Sequence, residues 1–233
     1  MLKGLKRGAI VYPVVIYSNE SRAGKDAICK QVVACFKMHP NYGDVHITCK
    51  GYKFSTYVKD IAHRLYGFAG VHSSDSYERN PALRKFKLPK LGYESVVDLW
   101  VDLGKFFTGI HPEAGVRLAM RKIESDVSKL YTKTTEGRMD VGISVHVPVI
   151  TDMRLPEEWD ALTSKFEPFY VKVIGDSGRT EKKALDGLLD IDKPNCVVDN
   201  TGTLDDLKRA VYTYCVPNIV KSVQALAHAT HGS

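Results

Sequence analysis

The 233-residue sequence predicts an α/β fold, a parallel sheet covered by helices on both faces. Short β-branched runs alternate with stretches of helical periodicity along the chain, and no internal repeat or low-complexity tract breaks that alternation. With 44% hydrophobic residues, a chain of this length buries a full core without disulfides or a structural metal.

The first strand is the apolar run Ala9 to Tyr17, centred on Val14-Val15-Ile16-Tyr17, with Pro13 tolerable at the first position of that centre. From Ala27, Ile28, Val32, Cys35 and Phe36 recur at helical spacing until Pro40-Asn41 ends the run. A strand at Val45 to Cys49 follows, then a helix from Thr56 to Tyr66 whose apolar face is Val58, Ile61, Ala62 and Leu65. Residues 70 to 92 are polar and basic and carry Pro81 and Pro89, so they predict a mobile excursion. Helices are expected at Glu94 to Phe107 and Glu113 to Leu130, with Thr132 to Arg138 as loop. The last third predicts a strand (Ile143 to Thr151), a helix (Glu157 to Lys165), a strand (Tyr170 to Ile174), a polar loop, a strand (Cys196 to Val198) and a helix (Leu204 to Tyr214). Parallel sheets bind ligands at the carboxyl ends of their strands, which directs attention to Ser18–Asp26, Asp152–Arg154 and Asp199–Thr203.

Composition narrows the function classes. The 33 Lys and Arg outnumber the 27 Asp and Glu by six, too balanced for a disordered or fibrous chain. The longest apolar run falls far short of the roughly 20 residues that span a bilayer. Lys3, Lys6 and Arg7 ahead of it imitate a signal peptide, but Asn19-Glu20-Ser21-Arg22 replaces a small-residue cleavage site, so a cytoplasmic protein is expected. Five cysteines without a C-x-x-C pair, and eight histidines without ligand spacing, spell neither a disulfide framework nor a zinc site. Between Glu78 and Lys90 stand Arg79, Arg84, Lys85, Lys87 and Lys90 against one acid, whereas Asp152 to Asp160 carries four acids and Arg154 alone. A local basic segment suits a phosphate-bearing ligand, a nucleic acid or a plain solvated face.

The chemistry concentrates in Asn19-Glu20-Ser21-Arg22-Ala23-Gly24-Lys25-Asp26, which joins the first strand to the first helix and approximates the phosphate loop G-x-x-x-x-G-K-[ST]. Gly24 permits close backbone approach, successive N–H groups face the anion, and Lys25 can bridge the outer phosphates. Asn19 stands where the first Gly belongs; Asn tolerates a left-handed backbone better than most residues. Asp26 stands where Ser or Thr holds Mg²⁺, and supplies an oxygen ligand of its own. The bland alternative is a strand-turn-helix in which Gly-Lys-Asp only starts the helix.

In carrying Gly-Lys-Asp, the chain resembles the phage deoxynucleoside monophosphate kinases, relatives of the phosphomevalonate kinase type of phosphate-loop enzyme. Four further stretches carry the resemblance. Phe54-Ser55-Thr56-Tyr57-Val58-Lys59-Asp60 looks like that family's helix start whose Lys addresses the acceptor nucleotide. Val149-Ile150-Thr151-Asp152-Met153-Arg154-Leu155-Pro156-Glu157-Glu158 is similar to its strand-ending "I-[ST]-D-x-R-x-P-x-E". Val198-Asp199-Asn200-Thr201-Gly202-Thr203-Leu204-Asp205-Asp206-Leu207 looks like its C-terminal segment near the adenine, and Leu99-Trp100-Val101-Asp102-Leu103-Gly104 is a weaker match to "R-x-L-L-Q-x-L-G". The chain departs in having no Arg at the start of that last motif, Asp102 near its Gln, and no Arg directly after the Val171–Ile174 strand, where Arg179, further along, is the candidate substitute.

The resemblance, spanning roughly residues 12 to 215, implies a three-layer α/β/α P-loop NTPase fold: one kinase domain over 1–233 with a substrate-binding lid insertion at about 67–140. It implies transfer of the ATP γ-phosphate to a deoxynucleoside monophosphate, with Mg²⁺. Lys25, Asp26, Asp152 and Arg154 are the expected catalytic set, and Asp26 the metal ligand. ATP would be held by Ser21, Arg22, Ala23, Gly24, Lys25, Asp26, Ala27, Asn200 and Gly202, and the acceptor by Lys59, Arg79, Arg84, Gly104, Asp152, Arg154 and Glu158. Phosphoryl transfer needs positioning and cations more than covalent chemistry, which these residue types provide. Asp152 with Arg154 can equally form a structural ion pair, Glu158 can flank its helix, and Asn200 with Gly202 can make a plain turn. Two other functions stay open: a P-loop kinase for another small phosphorylated acceptor, and a noncatalytic nucleotide or nucleic-acid binding module. Neither a membrane nor a nucleic-acid partner is expected, a homodimer is left open, and a phage-encoded protein would work in the host cytoplasm.

Overall fold

A computed structural model describes residues 9–18, 23–136, 142–153, 156–175 and 193–231. In chain order the elements are β1 (Ala9–Val11), β2 (Val14–Tyr17), α1 (Lys25–Met38), β3 (Asn41–Tyr42), β4 (Val45–Tyr52), α2 (Thr56–Tyr66), α3 (Ser74–Arg79), α4 (Val96–Ile110), α5 (Ala114–Glu136), β5 (Ile143–Ile150), α6 (Pro156–Thr163), β6 (Phe169–Ile174), β7 (Cys196–Asp199), α7 (Leu204–Ala210) and α8 (Val216–His231). They form two compact units: one is Lys53–Met120, and the other holds the chain up to Tyr52 and from Arg121 on. The segment expected as an insertion overlaps the Lys53–Met120 unit from Gly67 onward.

The larger unit is built on a mixed α/β plan with a mostly parallel sheet. Its strand order is β3-β4-β5-β2-β6-β7, with β1 also paired to β5. All pairings are parallel except the short β3–β4 hairpin, which the expectation of a parallel sheet lacked. The single strand expected over Ala9–Tyr17 is divided at Tyr12-Pro13, because proline has no N–H for the ladder. Tyr12 N–H still reaches the His146 carbonyl at 2.9 Å, so β1 and β2 follow one another along β5.

Alternation along the strands sorts the packing. Val45, Ile47, Val145, Val147, Phe169, Val171 and Val173 face one core with Ile28, Val32, Cys35 and Phe36 of α1, the four residues whose spacing predicted that helix. The opposite face carries His146 and Tyr52, bonded to each other and, through Tyr52, to Asp126 of α5. On this face, too, Trp159 of α6 stacks on Tyr170 at 4.8 Å.

Two helix ends differ from expectation. The helix expected to stop at Leu130 continues through Glu136, so most of the predicted loop at 132–138 is helical. The last helix does not stop at Tyr214: it passes through a π turn (Val211–Cys215) into α8. Pro217 cannot donate to the carbonyl four residues back, and the wider turn, with Val216 N–H on the Val211 carbonyl, absorbs that loss. Val216, Ile219, Val220, Val223 and Ala227 then bury one helical stripe in the main core.

The Lys53–Met120 unit has its own core of Ala62, Val71, Tyr77, Leu88, Val96 and Leu99. Residues 70 to 92, expected as an excursion, are therefore partly structured: α3 and two 3₁₀ turns bring Tyr77 and Leu88 inside, and Leu88 bridges Tyr93. Within α2, Val58 and Ala62 are buried, while Leu65, expected on the same face, is half exposed.

Candidate functional site

The chain crosses from β2 through α1 to β4 on one side of the sheet order, and from β5 through α6 to β6 on the other. Adjacent strands whose connections depart in opposite directions form a topological switch point, and the crevice lies outside their carboxyl ends. The strands here are β2 and β5. Their carboxyl ends lead into Ser18 to Asp26 on one side and Thr151-Asp152 on the other, two of the three segments the sequence singled out.

Gly24 caps α1 with φ +99°, a left-handed conformation that an L side chain adopts only under strain. The amide of Asn200 occupies the space a Cβ there would need, and donates from Nδ2 to the Ala23 carbonyl at 2.9 Å. Asn200 N–H in turn donates to the Ile174 carbonyl at 2.7 Å. A Cβ on Gly175 would stand 2.7 Å from the same Ala23 carbonyl, so this glycine lets the end of β6 approach the loop. The Ala23-Gly24 backbone is thus fixed by the ends of β6 and β7, and the first N–H groups of α1 open just beyond it.

Asp26 lies in the first turn of α1 and is exposed, and Thr151, buried at the end of β5, donates from Oγ1 to its Oδ1 at 2.9 Å. This bond couples the two halves of the switch point. Asp152 follows, half buried, and Glu158 sits in the first turn of α6. Around Asn200 the loop is pinned: Asp199 Oδ1 accepts from Thr201 N–H at 2.8 Å and Thr201 Oγ1 at 2.7 Å, which hold its carboxyl below the usual range. Thr203 and Asp206 form a reciprocal capping box at the start of α7, and Gly202 leaves room for the Asp206 carboxylate.

Lys25, Asp26, Ala23, Gly24, Ala27, Asp152, Asn200 and Gly202 therefore belong to one end of one sheet. Ser21, Arg22, Arg154 and Arg179 lie outside the described residues. Lys59, Arg79, Arg84 and Gly104 all belong to the Lys53–Met120 unit. There Lys59 and Arg84 meet at Glu78, while Arg79 Nε turns to the Asp75 carbonyl of its own helix at 3.4 Å. Gly104 lies within α4 with nothing within 4 Å of where its Cβ would stand, so packing does not require glycine there.

Sequence reasoning missed Thr151 and Gly175, which are local in space but remote in the chain, and also Lys53, Glu78 and Trp100. Lys53 Nζ donates to Glu78 Oε1 at 3.1 Å, and Lys59 Nζ stands 5.3 Å from the Trp100 ring centroid. The Glu78 carboxyl is pushed up by burial and, more strongly in sum, pulled down by Lys53, Lys59 and Arg84, and ends below its ordinary value. Arg84 Nε and Trp100 Nε1 are buried with no hydrogen-bond partner among the described residues, a state that costs about 1–3 kcal/mol for each group. The sequence had put Lys59 and Arg84 on the acceptor side, but of Glu78 it showed only a lone acid among basic residues.

No protein-family model matches the chain, and no curated protein matches it in sequence. Among the described residues, no helix is long and apolar enough to cross a membrane.

Proposed function

We propose that the chain is a three-layer P-loop NTPase-type kinase that transfers the γ-phosphate of ATP to a deoxynucleoside monophosphate. The observation that carries this reading is the position of Gly24-Lys25-Asp26: at the start of α1, in the connection that follows β2 at the switch point with β5, with Asp26 tied to Thr151. A Gly-Lys-Asp that merely began a helix would need neither the switch point nor the backbone clamp from Asn200.

In this reading the N–H groups at the start of α1 hold the donor phosphates and Lys25 neutralises the charge that develops on them. Asp152, just beyond the end of β5, orients the acceptor oxygen, and Arg154, two residues on in the sequence, binds the acceptor's phosphate. Asp26 fits a Mg²⁺ site, since its carboxylate is exposed and oriented by Thr151, and Mg²⁺ is commonly bound by one or two carboxylates plus substrate phosphates. Among the described residues no three His, Cys, Asp or Glu side chains stand together as a metal cage, so the nucleotide would complete the coordination. Mg²⁺, when bound, supplies neutralisation of the bridging phosphate oxygens. A cytoplasmic location agrees with this chemistry.

The test is a coupled ADP-release assay with ATP and each of the four deoxynucleoside monophosphates. Turnover with at least one, abolished in Lys25→Ala, is the expected result. No turnover with any of the four, in a folded protein, sinks the acceptor assignment.

A further inference from the structure

Central strands of a parallel sheet are covered on both faces and run nearly without charge. The sequences of β2, β5 and β6 hold one Lys, Arg, Asp or Glu between them, Lys172 of β6. Its neighbours Val171 and Val173 are buried in the core that α1 covers, so by strand alternation Lys172 lies on the opposite face. It is half buried there, two residues beyond the Tyr170 on which Trp159 stacks. A lysine withdrawn into such a face calls for an anion close by. Register gives its place: Lys172 is opposite Tyr17, the last residue of β2, from which the chain runs on to Gly24-Lys25-Asp26. On the other side of β2, Val15 is opposite Ile150, the last residue of β5, which sets Asp152 level with Tyr17. Thr151 and Met153 are buried, and Thr151 turns to Asp26 of α1, so the half-buried Asp152 between them takes the face that holds Lys172. Lys172 and Asp152 thus flank Tyr17 at the carboxyl end of the sheet, their backbones two strand spacings, about 10 Å, apart.

We propose that Lys172 is a further acceptor-binding residue, its ammonium holding a terminal oxygen of the acceptor's phosphate on the sheet face where Asp152 orients the acceptor oxygen. The inference rests on the kinase reading and adds to it a cation supplied from within the sheet. Such a cation offsets the repulsion between the acceptor's phosphate and the donor triphosphate, which the two must overcome to meet. Lysine suits the task, being a point charge on a flexible four-carbon stem that can follow the phosphate. The role does not need Lys172 to be free. At equal distance a phosphate dianion attracts an ammonium about twice as strongly as a single carboxylate does, so it can take the lysine over from a partner within the protein.

Steady-state kinetics of Lys172→Met, which keeps an unbranched apolar stem and removes the charge, test this. The KM for the accepted deoxynucleoside monophosphate should rise by about tenfold, with the KM for ATP nearly unchanged. Lys172→Arg, which keeps the charge, should lose less. A second measurement needs no variant: trace acetylation of the wild-type protein, read by mass spectrometry at Lys172. The accepted monophosphate should slow that acetylation severalfold, and the matching deoxynucleoside, which lacks the phosphate, should not. A folded Lys172→Met with an unchanged acceptor KM, a larger effect on the KM for ATP, or acetylation that the monophosphate does not slow would each overturn the proposal while the kinase reading stands. A lowered Tm with unchanged acceptor KM would mark Lys172 as part of a structural ion pair. Wild-type protein that turns over none of the four monophosphates would overturn the kinase reading and this inference with it.

Discussion

The side-chain amide of Asn200 fills the space that a Cβ on Gly24 would occupy, although the residues are far apart in sequence and belong to different connections of the sheet. The glycine is needed twice: for its left-handed φ and for the closeness of its neighbour. Gly24→Ala should destabilise the fold by about 1–2 kcal/mol from backbone strain alone, a drop of about 2–8 °C in Tm for a chain of this size. It should also impair ATP turnover. Adding Asn200→Ala removes the clash but not the strain, so the double variant should melt above Gly24→Ala, and a thermal-melt cycle over the four proteins measures the coupling.

Lys25→Ala should keep the wild-type Tm and lose kcat by a factor of order 10² or more, since a lysine at the start of a helix adds little to packing but answers directly to the transferred charge. Steady-state kinetics beside a melting curve check this. Unchanged kcat would remove the phosphate loop from the mechanism.

Thr151→Val keeps the shape of the buried side chain and deletes the hydrogen bond to Asp26. The Mg²⁺ concentration for half-maximal activity should rise severalfold, and Asp26→Asn should raise it further, because it removes the charge itself. A Mg²⁺ titration at saturating ATP reads both. If neither variant shifts it, Asp26 serves only the start of α1.

His146 gives the fold a pH dependence. Tyr52 donates its proton to Asp126 at 3.0 Å, so His146 Nε2 donates to Tyr52 Oη at 3.1 Å while Nδ1 accepts from Thr48 at 3.0 Å: a neutral imidazole, bonded at both nitrogens. Burial, the largest influence, pushes the imidazole down to about 4, with Asp126 opposing and Lys50 assisting. The folded pKa lies below the unfolded value of 6.5, so between the two the unfolded chain binds more protons. Stability is therefore complete above pH 6.5 and falls as pH drops through that window, by at most about 3 kcal/mol. Urea denaturation at about pH 7, above that window, and about pH 4.5, near its lower end, should show most of the loss, and His146→Gln should flatten it. Asp126, held below its usual range by Lys50 and Tyr52 against the opposing effect of burial, adds its own loss at still lower pH.

The sequence by itself determined the features that depend on neighbours along the chain. The spacing of Ile28, Val32, Cys35 and Phe36 marked the buried face of α1, and Gly24-Lys25-Asp26 was legible as a turn from strand to helix. The stripe of α8 was equally periodic, but Pro217 reads as a stop unless the π turn before it is known. Tertiary structure alone decided which strand ends adjoin, and hence that Thr151 holds Asp26 and Asn200 holds Ala23. It alone turned Lys53, Lys59, Glu78 and Arg84 from scattered charges into one cluster. The physical reason is the range of the forces: helix and strand periods are fixed by bonds a few residues long, whereas strand order is settled by burial of the whole sheet, which no local window of sequence contains.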